Sequence, residues 1–185
     1  MHQERTILWN RLDVDGMEAC RFRPMGDGWE IQGTASYREN GTVVSLTYII
    51  LCTDDWITQR ARVNGWQGNR DIHIDLNRSP TGRWTVNGKQ IDGTDGLFDV
   101  DLGFTPATNT LAIRRLNLAV GDEAETTAVW LDVSDWSLKP LRQIYRRTGE
   151  TEYGYISPDT AYEAVLTVDT FGAVSVYPCL WSALP

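Results

Sequence analysis

Lysine is nearly absent from this 185-residue chain: Lys89 and Lys139 stand against fifteen arginines. Arginine suits fixed, bidentate or stacked contacts, whereas lysine suits solvated surface. Part of the arginine set is therefore expected to pair with carboxylates inside the structure. Bases are outnumbered overall, 17 Lys and Arg to 25 Asp and Glu, for a formal net charge of −8. That balance supplies no basic face for a phosphate backbone, so no nucleic-acid partner is expected. An anionic membrane surface is disfavoured for the same reason. No run reaches the ~20 apolar residues that span a bilayer, so no stable membrane insertion is expected. The longest apolar stretch, Val43 to Cys52, contains Ser45, Thr47 and Tyr48 and has the length of a strand that could be buried on both faces.

Paired cysteines are lacking too. Cys20, Cys52 and Cys179 are odd in number, far apart and without CxxC spacing. They imply reduced thiols and a cytoplasmic location. The opening Met-His-Gln-Glu-Arg-Thr has no apolar core of a signal peptide. GxSxG, P-loop, GxGxxG and HExxH are missing, so no cofactor is expected. His73 is the only histidine besides His2. It lies between Asp71 and Asp75, with no second His or Cys at ligand spacing, so it implies an exposed strand histidine and no metal. No cysteine has a histidine near it in sequence to activate a thiol nucleophile.

What is abundant is alternation. Trp29, Ile31, Gly33, Ala35 and Tyr37 share one side of a segment whose other side is polar, and Asn40-Gly41 marks a hairpin into Thr42–Cys52. Trp56–Trp66 alternates, with a turn expected at Asn64-Gly65. Asp71–Leu76 alternates next, Ser79–Gly82 turns the chain, and Trp84 and Val86 share a face before Asn87-Gly88. Further strands are expected at Thr126–Val133, Arg142–Arg147, Thr151–Ile156, Tyr162–Val168 and Val174–Tyr177. Helical periodicity is weak except after Thr105-Pro106, an N-cap followed by proline at the first helical position, which predicts one helix from Pro106 to about Arg115. The fold class is mostly β. A single domain over residues 1–185 is expected, in which one curved antiparallel sheet (a β-roll or open barrel) wraps around one short α-helix.

The stretch Asp99–Leu116 concentrates the candidate chemistry. Asp99 and Asp101 fall on one side of an extended segment, about 6.5–7 Å apart. In a partly dry recess two like charges raise each other's pKa, which suits bonding to hydroxyls or acid–base work at a sugar; on an open strand face they would be ordinary surface. Arg60 and Arg62 form a same-face pair, and Arg114 and Arg115 follow one another. Each could hold an anion or orient the aspartates, or pair with carboxylates across strands. Most of the eight Trp suit the core, with Trp56 and Trp84, beside polar strand faces, as candidates for lining a cleft.

These residues carry a resemblance. Asp99-Val-Asp-Leu followed by Thr105-Pro-Ala-Thr-Asn-Thr-Leu-Ala-Ile-Arg-Arg-Leu116 resembles the signature of a bacterial glycolipid-binding family, formerly a domain of unknown function. Trp56-x-x-x-Arg60-x-Arg62, Trp84-x-Val-x-Gly88, Leu141-Arg-Gln-x-Tyr145-x-Arg147 and Tyr177-Pro-x-Leu-Trp181 are similar to that family's in the same order. The resemblance implies a curved sheet around one helix, remote similarity to lipoprotein-localisation factors, a homodimer, an acidic pocket and a role in glycolipid metabolism. Carried onto this chain, it makes Asp99 and Asp101 the carboxylates of the pocket and Arg60, Arg62, Arg114 and Arg115 its rim or support, beside the cleft candidates Trp56 and Trp84. The expected partner is a glycolipid or similar amphiphile, bound without catalysis. A structural protein without ligand, and a hydrolase using Asp99 and Asp101 on a glycoside or ester, are the alternatives.

Overall fold

The computed structural model describes residues 3–185; Met1 and His2, the start of the N-terminus considered above, lie outside the described residues. Strands β1 (Arg5–Arg11), β2 (Gly16–Met25), β3 (Gly28–Glu39), β4 (Thr42–Cys52), β5 (Thr58–Gln67), β6 (Arg70–Arg78), β7 (Trp84–Val86) and β8 (Lys89–Gln90) make a first meander. After β9 (Asp99–Leu102) come a 3₁₀ turn (Pro106–Thr108) and helix α1 (Asn109–Leu116). The second meander is β10 (Glu123–Asp132), β11 (Ser137–Arg147), β12 (Glu152–Ser157), β13 (Tyr162–Val168), β14 (Val174–Tyr177) and β15 (Trp181–Ala183).

Turn chemistry accounts for most of the joints. Asn40 and Gly41 have φ of 48° and 79°, the left-handed pair that a two-residue hairpin turn requires. Asn64-Gly65, expected to turn, does not: β5 runs on to Gln67. A Cβ on Gly65 would lie 2.0 Å from the Ser45 carbonyl oxygen, so glycine here permits close approach to β4 rather than a reversal. Nor is β4 buried on both sides. Val44, Leu46, Tyr48, Ile50 and Cys52 face the core, while Val43 and Ile49 are exposed. Trp56 precedes the strand it was assigned to, at a positive φ of 64°.

All fifteen strands form one open sheet, ordered β8-β7-β6-β5-β4-β3-β2-β1-β15-β14-β13-β12-β11-β10-β9. Each meander grows outward from the central β1–β15 pair, so β8 and β9 are the two edges. Laid flat, the edges would sit roughly 67 Å apart at ~4.8 Å per strand, yet residues 91–98 that join them reach only about 30 Å when extended. The sheet must curl. The curl is clasped where Thr58 N donates to Phe98 O at 3.0 Å, and where the Arg78 and Trp84 side chains both donate to Leu97 O. One pair departs from the antiparallel rule: β9 and β10 are parallel. The helix between them is the crossover that a parallel pair needs.

The curled sheet encloses that helix. Thr105 caps the 3₁₀ turn that leads into it, its Oγ1 accepting from Ala107 N at 3.0 Å, and every residue from Pro106 to Ile113 is buried. Two of the buried polar residues here are matched, the Thr108 hydroxyl donating to Thr105 O and the Asn109 side chain to the Tyr145 hydroxyl, while the buried Thr110 hydroxyl has no partner. Phe104 and Leu111 join Trp9, Phe22, Ile31, Leu46 and Trp84 in one core.

Candidate functional site

A buried helix has two ends, and each opens on a different recess. At the N-terminal end lies a small cavity of about 150 Å³, bounded by Asp101, Asn109, Tyr155, Tyr162, Tyr177 and Trp181, among others. Strand alternation on β9 turns Asp101 inward beside Trp130, its register partner on β10. Its Oδ2 accepts from Gln143 Nε2 at 2.6 Å, and that amide also donates to the Tyr155 hydroxyl. Burial pushes the Asp101 carboxyl up to about 6, against the amide bond that lowers it and with the Asp99 charge adding to the rise. Tyr145, Tyr155, Tyr177 and Trp181 form a run of ring contacts with centroids 5.1 to 6.1 Å apart. One buried polar atom of a cavity residue, Trp181 Nε1, has no protein partner.

Behind Thr105, which also lines this cavity, is a carboxyl that sequence reading passed over. Glu18 on β2 is 1% exposed. Its Oε1 accepts from the Tyr48 hydroxyl at 2.5 Å and the Thr105 hydroxyl at 2.6 Å, while Oε2 is unpartnered. Burial pushes its pKa up to about 8, so Glu18 is mostly neutral at pH 7. Gly33 makes room for this contact: a Cβ there would meet the Tyr48 ring at 2.3 Å. A signal existed in the sequence, because Glu18 shares its strand face with Cys20 and Phe22, both buried.

At the C-terminal end a cleft of about 1020 Å³ opens among Trp56, Phe98, Arg114, Arg115, Arg147 and Phe171. Arg115 grips Asp99 with two nitrogens, Nε at 2.8 Å from Oδ1 and Nη2 on Oδ2, and Nη2 also donates to Thr126. Arg114 lies 4.9 Å from the ring centroids of both Trp56 and Phe171 and donates to Phe171 O at 2.7 Å. Arg147 donates to the carbonyls of Leu118, Gly149 and Glu150.

The expected site residues are thus divided. Trp56, Arg114 and Arg115 meet at the C-terminal cleft, with Asp99 tied to Arg115, and Asp101 lies at the opposite cavity. Arg60 forms a two-point pair with Asp75 at 2.9 and 2.6 Å, and Arg62 reaches the same carboxylate at 3.9 Å. Both lie on the face of β5 opposite the buried Ala61 and Val63. Trp84 is fully buried, its indole N–H bonded to Leu97 O. His73 is exposed on β6, its Nδ1 2.6 Å from the Asn64 side-chain oxygen.

This architecture recurs in a crystal structure of a DUF1089 family protein from Pseudomonas aeruginosa. That protein is 29% identical, with a TM-score of 0.80 over 90% of this chain and 91% of that one. No curated protein matches. No helix among the described residues is long and apolar enough to cross a membrane. Residues 6–183 match the model of a family described as "Putative glycolipid-binding". With the match running over nearly the whole sheet and its helix, the chain belongs to that glycolipid-binding family.

Proposed function

We propose that the cavity at the helix N-terminus binds the sugar of a glycolipid or similar amphiphile, and that the protein acts by binding in glycolipid metabolism. One observation carries this reading. Asp101, Ser157 and Trp181 all line one tyrosine-walled cavity, and the buried Trp181 indole N–H has no protein partner. Carboxylates accept from sugar hydroxyls, an indole N–H donates to them, and aromatic faces take the C–H side of the ring. Buried donors without partners are rare in native proteins and ask for one. The family description supports the same class of ligand. In this reading Asp99, Arg115 and Arg114 hold the helix and the facing wall, and Arg60, Arg62 and Trp84 stabilise the sheet.

The test is native mass spectrometry against a panel of short-chain glycolipids, with Asp101→Asn and Trp181→Phe as variants. Binding by the wild type that drops about tenfold or more in either variant supports the reading, that being the loss expected of one strong polar contact. A folded wild type that binds no member of the panel ends it.

A hydrolytic reading draws on Asp101 alone, since a carboxyl held near 6 can act as a general acid. Its intended partner Asp99 is committed to Arg115 and Thr126, which favours binding over catalysis. Homodimerisation has support on the outer face, where Leu8, Met17, Val165, Val176 and Leu184 are exposed. Light scattering on Leu8→Asp, converting a dimer to a monomer, tests it. Three free cysteines, two of them buried, support a reducing cytoplasm.

A further inference from the structure

The large cleft at the helix C-terminus contains an arrangement the sugar reading does not use. Arg114 and Arg147 both line it, and neither has a carboxylate within ion-pair distance among the described residues. This is unexpected in a chain with eight more acidic than basic side chains. Neither guanidinium is free to leave. Arg114 is packed on Trp56 and Phe171 and bonded to Phe171 O, and its stem lies against Gly172, where a Cβ would come within 3.1 Å. Arg147 is fixed by three carbonyls and covers Tyr153. Burial pulls the Arg114 pKa below its ordinary value, against the pull of the nearby Asp169 carboxylate that raises it, as for a cation short of solvent.

Donor capacity is left over. A guanidinium carries five N–H donors. Carbonyls occupy one donor nitrogen of Arg114 and three of Arg147, leaving N–H groups on each without an acceptor. Arg115 contributes little charge because Asp99 neutralises it. The acids nearby are of two kinds. Asp169 is engaged by Arg5 at 2.6 Å and by the N–H groups of Phe171 and Ala173. Asp54, Asp55 and Glu150 are exposed cleft residues whose carboxylates have no hydrogen-bonded partner among the described residues. The cleft therefore has fixed cations in its half-buried wall and solvated carboxylates among its exposed residues. Two guanidiniums also outweigh the partial negative charge of about half a unit at the helix C-terminus.

We propose that this cleft is a second site, which takes the phosphate of a hydroxylated phosphate ester. Arg114 and Arg147 bind the phosphate oxygens, as planar forks do. Asp54, Asp55 and Glu150 accept from hydroxyls, and the exposed ring of Phe98 covers the carbon skeleton. The ester is either the phosphosugar headgroup of a lipid or a soluble sugar phosphate. The site shares no residue with the Asp101 cavity, and the inference does not rest on the sugar-binding reading of that cavity.

Calorimetric titration of the full chain with glucose 6-phosphate, glucose and inorganic phosphate tests the soluble source. Co-sedimentation with phosphatidylcholine vesicles, with and without phosphatidylinositol, tests the lipid source. The expected result is binding of glucose 6-phosphate, or of the phosphatidylinositol vesicles, that glucose and pure phosphatidylcholine do not reproduce. Which probe binds identifies the source. Arg114→Met, which keeps an apolar stem on Trp56, and Arg147→Gln should each weaken that binding about tenfold or more. Two variants are specified so that either one, unfolding at the wild-type midpoint, suffices. The proposal is overturned if glucose 6-phosphate binds no better than glucose and phosphatidylinositol vesicles no better than pure phosphatidylcholine, or if a normally folded variant binds as tightly as the wild type.

Discussion

The two ends of the buried helix are built from opposite materials. At the N-terminal end the polar groups are carboxyls and phenols, and burial drives both carboxyls toward neutrality: Asp101 to about 6 and Glu18 to about 8. At the C-terminal end they are guanidiniums laid over aromatic rings. A carboxyl can shed its charge by taking a proton when water is withdrawn, whereas a guanidinium cannot. The acidic end can therefore be small, with its carboxyls buried, whereas the basic end needs ring faces and carbonyls around its cations. Asp99 and Asp101, two residues apart on one strand, fall on either side of this divide. Asp99 is charged and clamped by Arg115, and Asp101 is bonded to a neutral amide.

The largest effect should come from breaking that clamp. Arg115→Met leaves the Asp99 carboxylate, 2% exposed, without its counter-ion. A loss of about 3–5 kcal/mol in denaturant-unfolding stability is expected, because an uncompensated buried charge remains. A loss under about 1 kcal/mol would mean that Asp99 reaches water and that the two ends are more alike than described.

Next in size is a pH effect at the acidic end. Folding raises Glu18 from 4.5 to about 8, so the folded protein holds this proton more tightly than the unfolded chain. The stability that Glu18 contributes is then full below pH 4.5 and is lost as pH rises through 8, by at most about 1.4 kcal/mol per pH unit. Glu18→Gln should flatten the stability curve between pH 6 and 8, read from unfolding midpoints across that range. An unchanged slope would place the ionisation elsewhere.

Asp101 should give a slope of the same sign over a shorter interval, between 3.8 and about 6, and so a smaller total change, since its shift is smaller. Asp101→Asn should remove that acid-side portion and leave the portion above pH 6 intact. Coincident loss of both portions would show that the two carboxyls titrate as a coupled pair.

The smallest effect belongs to neither end. Arg60 and Asp75 lie on the outer face, with side chains 40% and 24% exposed. Arg60→Ala should leave the unfolding midpoint unresolved from wild type, as exposed ion pairs are screened by water and salt. A clear drop would give the outer face a structural weight now assigned to the helix ends.

How much of this was legible in the chain follows from where the signals lie. Asn40-Gly41 and Asn87-Gly88 declare their hairpins because positive φ at both positions is a local demand. Thr105-Pro106 declares the helix start for a similar local reason. Asn64-Gly65 offers the same letters and means something else, because a neighbouring strand presses on Gly65. Short β8 and β15 pass unseen, since two or three residues carry no periodicity. Trp56, chosen as a cleft residue, does lie there but beneath Arg114, and Trp84 packs wholly inside.

The sequence by itself determined a mostly β chain with one helix, its family, and the stretch Asp99–Leu116 as the pivot between two meanders. Each is encoded by neighbours a few residues apart: alternation, turn pairs, a cap. Only the tertiary structure decided that the pivot's residues serve two different recesses. It placed Glu18 against Thr105, 87 positions away, and Gln143 against Asp101, 42 positions away. Burial raises both carboxyls, and those distant hydrogen bonds hold the rise back. Burial and distant hydrogen bonds govern ionisation, and neither is written in the local order of residues.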